Sequence, residues 1–303
     1  MNRKRNDTRL EEVEIELFLE GVMRYYGYDF RDYEPSVVRR RIREGMLASR
    51  VSTISRFQER VLHEPAFLER FVRTFSGAGR SMFSDSDFYH AFREKVLPLL
   101  RTYPFIRIWH AGCSTGQEVY SIAILLEEEG IYERCRIYAT DLSEVAVSQA
   151  RRGSFPLSSC KEYAGNYARA GGKKSLSDYF RTKGGRLLID PSLKKHMVFS
   201  EHNLATDGSF NEFQVIVCRD VLATFNDTLR ARVDGLIYDS LSRLGILALG
   251  ADESLESMPH QTCYTVLDGQ RRLYQKLVEC TRESASPVRA VLGGRPSSRD
   301  DHL

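Results

Sequence analysis

The chain has 303 residues, of which 42% are hydrophobic and 28% charged, with a net charge of +3. This length and composition predict a globular protein with an ample core, and the weak charge disfavours nucleic-acid binding. No apolar run approaches the roughly 18 residues of a membrane span, and the polar start is not a secretory signal, so we predict a cytoplasmic protein without membrane insertion. The six cysteines and seven histidines show no metal-binding spacing, which predicts reduced thiols and no metal site.

The first part of the chain predicts a helical domain over residues 1–80. Further helices are expected after Pro35, over 54–62 and over 66–75, and the Gly-containing loop Ser76–Ser81 predicts a linker to the next domain. In the first helix, apolar residues recur at helical spacing and predict one apolar face. The members of that predicted face are Leu10, Val13, Leu17, Phe18, Val22 and Tyr25.

The helix after Pro35 carries a cluster of arginines, namely Arg39, Arg40, Arg41 and Arg43. Such a cluster is either a solvated basic face or a docking surface for an acidic helical partner, because guanidinium groups favour association with carboxylates. The sequence leaves both interpretations open.

A strand–turn–helix–strand pattern follows a helix predicted over 85–103. Strand Ile106–His110 leads into the small-residue turn Ala111–Gly116 and helix Glu118–Glu128, and the next strand, Arg136–Thr140, ends at Asp141. Small residues let the backbone approach a ligand closely, and a helix N-terminus presents unpaired N–H groups. An acid at the tip of the next strand suits the hydroxyls of a ribose. The pattern predicts a nucleoside-containing cofactor at the carboxyl ends of parallel strands.

The rest of the chain predicts an α/β domain over residues 81–282. A helix over 143–153 is followed by a segment at about 156–195 whose glycine turn predicts a small antiparallel β insertion. Alternation then resumes with the apolar strand Phe213–Cys218, a helix over 228–244, a strand over 245–249 and a closing hairpin. The tail over 283–303 is rich in small and polar residues and is predicted to be disordered.

Five blocks of this chain carry a specific pattern: AGCSTGQEVYSIAILL (111–126), IYATDLSEVAVSQARRGSF (137–155), HNL (202–204), FNEFQVIVCRDVLATFN (210–226) and LGILALGADESL (244–255). In order and spacing they resemble the CheR-type chemoreceptor glutamate O-methyltransferases. The resemblance implies a class I, Rossmann-like methyltransferase fold with an N-terminal all-helical domain. It also implies that S-adenosylmethionine or S-adenosylhomocysteine binds.

The resemblance assigns expected cofactor contacts. In the turn Gly112–Gly116, which includes Ser114 and Thr115, the two glycines let the backbone close on the methionine end. Glu118 matches the carboxylate that pairs with the cofactor's amino group through a charge-assisted hydrogen bond, while Gln117 stands where the family usually has another glutamate. The other expected contacts are the ribose-binding Asp141, its neighbour Leu142, the adenine pair Asn203 and Leu204, and Arg219.

At the expected reaction centre the chain departs from the family. The family pattern N-x-T-x-F-F-R aligns with residues 78–84, which places Arg80 at the threonine and Ser84 at the arginine. The block C-R-N-V-L-I-Y-F aligns with 218–225, which places Asp220 at the asparagine and Thr224 at the tyrosine. A serine hydroxyl cannot reproduce the planar charged fork of an arginine, and lost positioning groups cost orders of magnitude in rate. Arg80, Ser84 and Thr224 are therefore degenerate catalytic positions.

Functions of different classes remain open. We favour a protein that binds S-adenosylmethionine or S-adenosylhomocysteine and acts as a sensor or regulatory pseudo-methyltransferase in chemosensory signalling. The alternative is an active protein-glutamate O-methyltransferase with a rearranged site that uses Arg80. A third reading is an interaction module that has also lost its cofactor site. The implied partner is the cytoplasmic domain of a chemoreceptor or another signalling protein, contacted through the arginine cluster.

Overall fold

The computed structural model describes residues 2–76 and 79–278, with side chains from residue 8 onward, and the predicted tail over 283–303 lies outside them. The helices are α1 (Asn2–Tyr26), α2 (Pro35–Ser49), α3 (Ile54–His63), α4 (Pro65–Phe75), α5 (Ser86–Ala91), α6 (Leu97–Leu100), α7 (Gln117–Glu128), α8 (Glu144–Arg152), α9 (Cys160–Arg169) and α10 (Asp227–Ser240). The strands are β1 (Ile106–Ala111), β2 (Cys135–Asp141), β3 (Ser154–Pro156), β4 (Phe180–Lys183), β5 (Arg186–Ile189), β6 (Met197–Glu201), β7 (Phe213–Cys218), β8 (Leu241–Leu249), β9 (Tyr264–Asp268) and β10 (Leu273–Lys276).

The first four helices form the predicted helical domain. Pro35 and Pro65 stand in the first turns of α2 and α4, where a missing N–H costs nothing, and Thr53 caps α3 by accepting from the N–H of Arg56. Aromatic rings fill the space between these helices, and Phe18 contacts both Phe57 and Phe71. The starts of these helices are therefore set by neighbouring residues in the sequence, whereas the core between the helices consists of contacts between residues far apart in the sequence.

The predicted apolar face of α1 is wrong in four of its six members. Phe18 and Val22 are fully buried, but Leu10, Val13 and Leu17 are 59%, 46% and 59% exposed, and Tyr25 is also exposed. The reason is that α1 packs on one side only, against α3, and the helical spacing in the sequence merged two neighbouring faces into one.

A seven-stranded sheet forms the centre of the second domain, in the order β6-β2-β1-β7-β8-β10-β9. The first five strands are parallel, and β10 and β9 close the sheet as an antiparallel hairpin. The chain proceeds from β1 towards β6 and then returns to β7 on the other side of β1. The strand order therefore reverses between β1 and β7, which is where ligands bind in open α/β sheets.

Two boundaries in this domain differ from the prediction. Helix α10 ends at Ser240 instead of continuing to residue 244, because Leu241 already pairs with Phe213 of β7 and begins β8.

The insertion has the predicted antiparallel sheet, in the order β3-β5-β4, and also contains α9.

Free thiols are present at Cys113, Cys135, Cys160 and Cys218, whereas Cys263 is disulfide-bonded. The prediction of reduced thiols is therefore wrong at Cys263. Within the described part of the chain, no helix is long and apolar enough to cross a membrane, and no group of three metal-ligating side chains comes together.

The loop between α1 and α2 joins the two domains. The N–H of Glu34 donates to the carbonyl of Thr224 at 2.9 Å, and the N–H of Asn226 donates to the carbonyl of Asp32 at 3.0 Å. Between these bonds, the ring of Tyr33 packs edge-on against Phe225. The helical domain is thus held against the loop that follows β7, beside the point where the strand order reverses.

Candidate functional site

A cavity opens at the carboxyl ends of β1, β2 and β7, between the sheet and the helical domain. The predicted residues in its wall are Arg80, Gly112, Ser114, Glu118, Asp141, Leu142, Asn203, Leu204, Arg219 and Thr224. The further lining residues are Tyr33, Arg41, Phe75, Ser76, Gly79, His110, Cys113, Gln117, His202, Asp220, Val221 and Phe225.

The turn after β1 is tied to the end of β2. The N–H groups of Gly112 and Cys113 both donate to the carbonyl of Thr140, at 2.9 and 2.8 Å. Gly112 has φ +78°, and a Cβ there would lie 2.5 Å from a methyl of Val221. Glycine is thus required at this position by conformation and by packing, which keeps the floor of the cavity open.

Asp141 is a buried acid at the end of β2, only 2% exposed. Its Oδ2 accepts from the N–H of Ser114 at 2.8 Å, and its Oδ1 accepts from the N–H of Ser143 at 3.0 Å. Burial raises the pKa of this carboxyl above its ordinary value, and these backbone hydrogen bonds oppose the rise. The two bonds hold the carboxyl in one orientation in the wall of the cavity.

Arg219 lies buried between two acids from distant parts of the chain. Its Nη1 donates to Glu118 Oε1 at 2.5 Å, its Nη2 donates to Asp85, and its guanidinium lies 3.9 Å above the ring of Phe88. Burial opposes the charge, but the neighbouring acids outweigh it and raise the pKa of Arg219. The Nε of Arg219 is buried and has no partner among the described residues. Glu118 therefore belongs to an internal ion pair and also reaches the cavity wall.

His110, at the end of β1, is a lining residue that the sequence did not single out. It is 2% exposed, and its Nε2 has no hydrogen-bond partner within the described ranges. Burial, reinforced by the charge of Arg219, lowers the pKa of His110 to about 3, so the ring is neutral near pH 7. A buried histidine with a spare ring nitrogen is a polar group suited to a ligand.

The three degenerate catalytic positions do not all reach the cavity. Arg80 pairs with Asp220 through its Nε and Nη2, and the hydroxyl of Thr224 donates to the carbonyl of Val221 at 2.6 Å. Ser84 is exposed and is not among the cavity-lining residues. Of the three positions, two line the cavity, and both are engaged within the protein.

Two expected cofactor contacts, Thr115 and Gly116, also lie outside the cavity lining. Gly116 has φ +91°, and a Cβ there would lie 2.9 Å from Ala150 of α8. Its glycine is needed for the turn and for packing α7 against α8. The hydroxyl of Thr115 donates to the amide oxygen of Gln117 at 2.6 Å, so it stabilises the start of α7.

The helical domain supplies part of the wall, which the sequence analysis did not predict. Tyr33 and Arg41 come from this domain, as do Phe75 and Ser76 at its end. Arg41, which was grouped with the docking surface, instead lines the cavity, and its buried Nε has no partner in the described part of the chain. No local pattern marks these residues, because the domain contact alone brings them to the cavity.

These residues fit an S-adenosyl group. The buried Asp141 offers fixed acceptors for ribose hydroxyls, Leu142 and Leu204 offer apolar surface for a base, and Glu118 offers a carboxylate for an ammonium. The unpartnered Nε of Arg219 is a donor for a carboxylate, and the unpartnered Nε2 of His110 donates or accepts according to its tautomer. Together with the reversed parallel sheet, this arrangement defines a class I S-adenosylmethionine-dependent methyltransferase fold.

Comparisons with known proteins name the family. The model of the CheR methyltransferase SAM binding domain matches residues 80–271, and that of the CheR methyltransferase all-alpha domain matches residues 13–76. The chain is 40% identical over 268 residues to "Putative methyltransferase Cher3" of Pseudomonas putida KT2440, covering 88% of this chain and 98% of that protein. It is 27% identical to the "Chemotaxis protein methyltransferase" of Listeria monocytogenes, covering 78% and 88%. The chain belongs to the CheR methyltransferase family.

A solved structure of an S-adenosylmethionine-dependent methyltransferase from Geobacter sulfurreducens in complex with S-adenosylhomocysteine matches with a TM-score of 0.33 and 14% identity. That match covers 59% of this chain and 53% of the other. It is the family model over residues 80–271 that makes the second domain a SAM-binding domain and confirms the predicted fold class.

Proposed function

We propose that this chain binds S-adenosylmethionine or S-adenosylhomocysteine and acts mainly by binding, as a regulatory CheR-family protein with impaired methyl transfer. The observation that carries the proposal is the contrast within one cavity. Its cofactor side presents the fixed carboxyl of Asp141 and unpartnered nitrogens on His110 and Arg219. On the other side, Arg80 is paired with Asp220 and Thr224 is bonded to its own loop.

This contrast has a chemical consequence for transfer to a carboxylate. Bound S-adenosylmethionine would supply an electrophilic methyl group, and the protein has to hold an acceptor carboxylate in line with it. Arg80 is the guanidinium in the wall beside Asp220, and Asp220 already satisfies it. The carboxylate of Asp220 would also repel an incoming carboxylate. Binding is therefore supported by the geometry better than turnover.

A second candidate function is supported by one specific observation, which is that the Arg80 side chain faces the cavity. If Asp220 gives way to an acceptor, Arg80 can bind the acceptor in the role that the family assigns to the arginine aligned with Ser84. The chain would then be an active protein-glutamate O-methyltransferase with a rearranged site.

We further propose an acidic helical partner, either the cytoplasmic domain of a chemoreceptor or another signalling protein. Relatives named chemotaxis protein methyltransferases support this proposal. The exposed side of α2 offers Arg40 and Arg43, and Arg43 already pairs with Glu11 at 2.8 Å. Arg41 is left out of this surface because it lines the cavity.

Calorimetry tests the binding proposal. We expect S-adenosylhomocysteine to bind the wild-type chain, and Asp141→Ala to weaken that binding by about a hundredfold, because the ribose loses a charge-assisted acceptor and the N–H groups of Ser114 and Ser143 lose theirs. The matched control is Asp252→Ala, at an exposed aspartate, which should leave the affinity unchanged. Absence of binding to the wild-type chain would contradict the proposal.

Label transfer separates the two candidate functions. The chain is incubated with tritiated S-adenosylmethionine and a chemoreceptor cytoplasmic fragment, beside an active CheR enzyme. The binding proposal predicts label in the receptor at the background level. Sustained transfer that depends on Arg80 would establish the second candidate in its place.

A further inference from the structure

An ion pair in the cavity wall joins two residues that are far apart in sequence. Arg80 comes from the linker before α5, and Asp220 follows β7. Arg80 Nη2 donates to Asp220 Oδ1 at 2.6 Å, and Arg80 Nε donates to Asp220 Oδ2. A guanidinium bound by both oxygens of one carboxylate has the geometry in which arginine recognises carboxylates in general.

The solvent exposure of this ion pair indicates that it contributes little to the stability of the fold. The side chain of Arg80 is 27% exposed and that of Asp220 is 46% exposed. Ion pairs with this much solvent contact contribute little to stability, because water and salt screen them. The pair is therefore open to competition from a ligand that brings its own carboxylate.

The backbone of Asp220, in contrast, is firmly held. It has φ +62°, a conformation that aspartate and asparagine adopt more readily than most residues. Its N–H donates to Glu253 Oε2 at 2.9 Å, and Glu253 is 4% exposed. The same carboxylate accepts from the N–H groups of Gly250 and Ala223 at 2.7 and 3.1 Å. The loop thus presents the Asp220 carboxylate to Arg80 from a fixed position.

We propose that Asp220 is a built-in competitor that occupies the carboxylate-binding guanidinium of Arg80 and lowers the affinity of the site for acidic side chains of a protein ligand. This inference rests on the proposed function, since the acidic side chain is taken to enter the cavity beside the bound S-adenosyl group. Asp220 therefore sets a threshold: an isolated carboxylate binds weakly, and a ligand that makes further contacts outside the cavity overcomes the competition.

Charge removal at Asp220 tests the proposal. The probe is N-acetyl-glutamate amide, which carries one carboxylate, titrated by calorimetry into each variant saturated with S-adenosylhomocysteine. We expect Asp220→Asn to bind the probe about tenfold or more tighter than the wild type, because the tethered competitor is lost. The uncharged N-acetyl-glutamine amide should show no gain. The control Asp252→Asn removes the same charge at an exposed position and should behave as the wild type.

The double variant Arg80→Gln with Asp220→Asn should lose the gained affinity. The proposal is overturned if Asp220→Asn and the wild type bind the probe equally, or if the gain persists without Arg80. Titration of S-adenosylhomocysteine itself distinguishes a failure of the proposed function from a failure of the proposed competition by Asp220. No binding by the wild type contradicts the proposed function, whereas normal binding with an unchanged probe affinity contradicts only this inference.

A second measurement covers the case in which Asp220→Asn does not fold. Arg80→Gln alone should abolish the weak affinity of the wild-type chain for N-acetyl-glutamate amide at high probe concentration. An unchanged affinity in Arg80→Gln would show that the guanidinium does not bind the carboxylate, and would overturn the proposal by a separate route.

Discussion

At the scale of single residues, the cavity is defined by polar groups that are buried without being fully satisfied. The side chains of His110 and Arg219 are almost completely buried. Even so, Nε2 of His110 and Nε of Arg219 have no hydrogen-bond partner among the described residues. Buried polar atoms without partners are rare in folded proteins because each costs free energy. Both nitrogens belong to residues that line the same cavity, which is why we include them in the proposed binding site.

His110 makes stability depend on pH. Its pKa of about 3 lies below the ordinary value near 6.5, so between these values the unfolded chain binds a proton that the folded chain does not. The free energy of unfolding should therefore fall as the pH drops through this window. Between pH 7 and 4.5, the free energy of unfolding of His110→Gln should fall by roughly 2 kcal/mol less than that of the wild type. Urea unfolding at both pH values measures this difference.

The exposed His63 provides the comparison, because His63→Gln removes a histidine without changing the cavity. We expect its pH dependence to match that of the wild type. Equal pH dependence in His110→Gln and the wild type would show that His110 does not carry this effect.

At the scale of elements, the loop after β7 depends on one carboxylate from the loop after β8. Glu253 Oε2 accepts from the N–H groups of Asp220 and Gly250, and Oε1 accepts from Ala223. Burial raises the pKa of Glu253, and these hydrogen bonds oppose the rise. Neighbouring parallel strands thus fix each other's terminal loops, and one of these loops carries Arg219, Asp220 and Thr224.

Glu253→Ala should destabilise the fold strongly. Three N–H groups lose their acceptor, one of them buried and two partly buried, so we expect a loss of roughly 3 kcal/mol in the free energy of unfolding. Glu253→Gln should cost less, since its one amide oxygen can still accept from two N–H groups. Urea unfolding measures both, and the exposed Asp252→Ala should lie within about 0.5 kcal/mol of the wild type. Equal stability of Glu253→Ala and wild type would rule out this role.

At the scale of the whole molecule, the two domains share one cavity. Tyr33 is buried and contacts Phe30, Phe75 and Phe225, so its ring belongs to the helical domain and also touches the loop after β7. Because the helical domain supplies part of the cavity wall, docking of the domains and ligand binding are expected to be linked.

Tyr33→Ala tests this linkage. Removal of a large buried ring should cost roughly 3 kcal/mol of stability and should also weaken S-adenosylhomocysteine binding by about tenfold, because part of the cavity wall is lost. Thermal unfolding and calorimetry measure the two effects. Tyr25→Ala, at an exposed tyrosine of α1, should change neither. A stability loss with unchanged affinity would confine Tyr33 to a structural role.

The features that depend on local sequence were predictable. Ser143 caps the start of α8 and Gly153 stands at its C-terminal end, as predicted. Both effects act within one helical turn, since one is a hydroxyl that accepts from a backbone N–H and the other is a glycine in the left-handed conformation. The buried strands β1, β2 and β7 follow from their apolar runs, and Asp141 stands at the end of β2 as predicted. The order of the motif blocks was enough to indicate the family.

Contacts between distant segments were decided only by the tertiary structure. The sequence grouped Arg41 with a basic cluster that is either solvated or a docking surface, but in the folded chain Arg41 lines the cavity. Leu10 and Leu17 remain exposed because only one side of α1 is covered. The sequence showed Arg80 and Asp220 as two separate departures from the family, and folding across 140 positions made them one ion pair. Helix caps, strands and turns depend on neighbouring residues, whereas an ion pair or a domain contact depends on how the elements pack. The sequence by itself therefore determined the family and the strands that end at the cavity, and the tertiary structure decided which side chains line it.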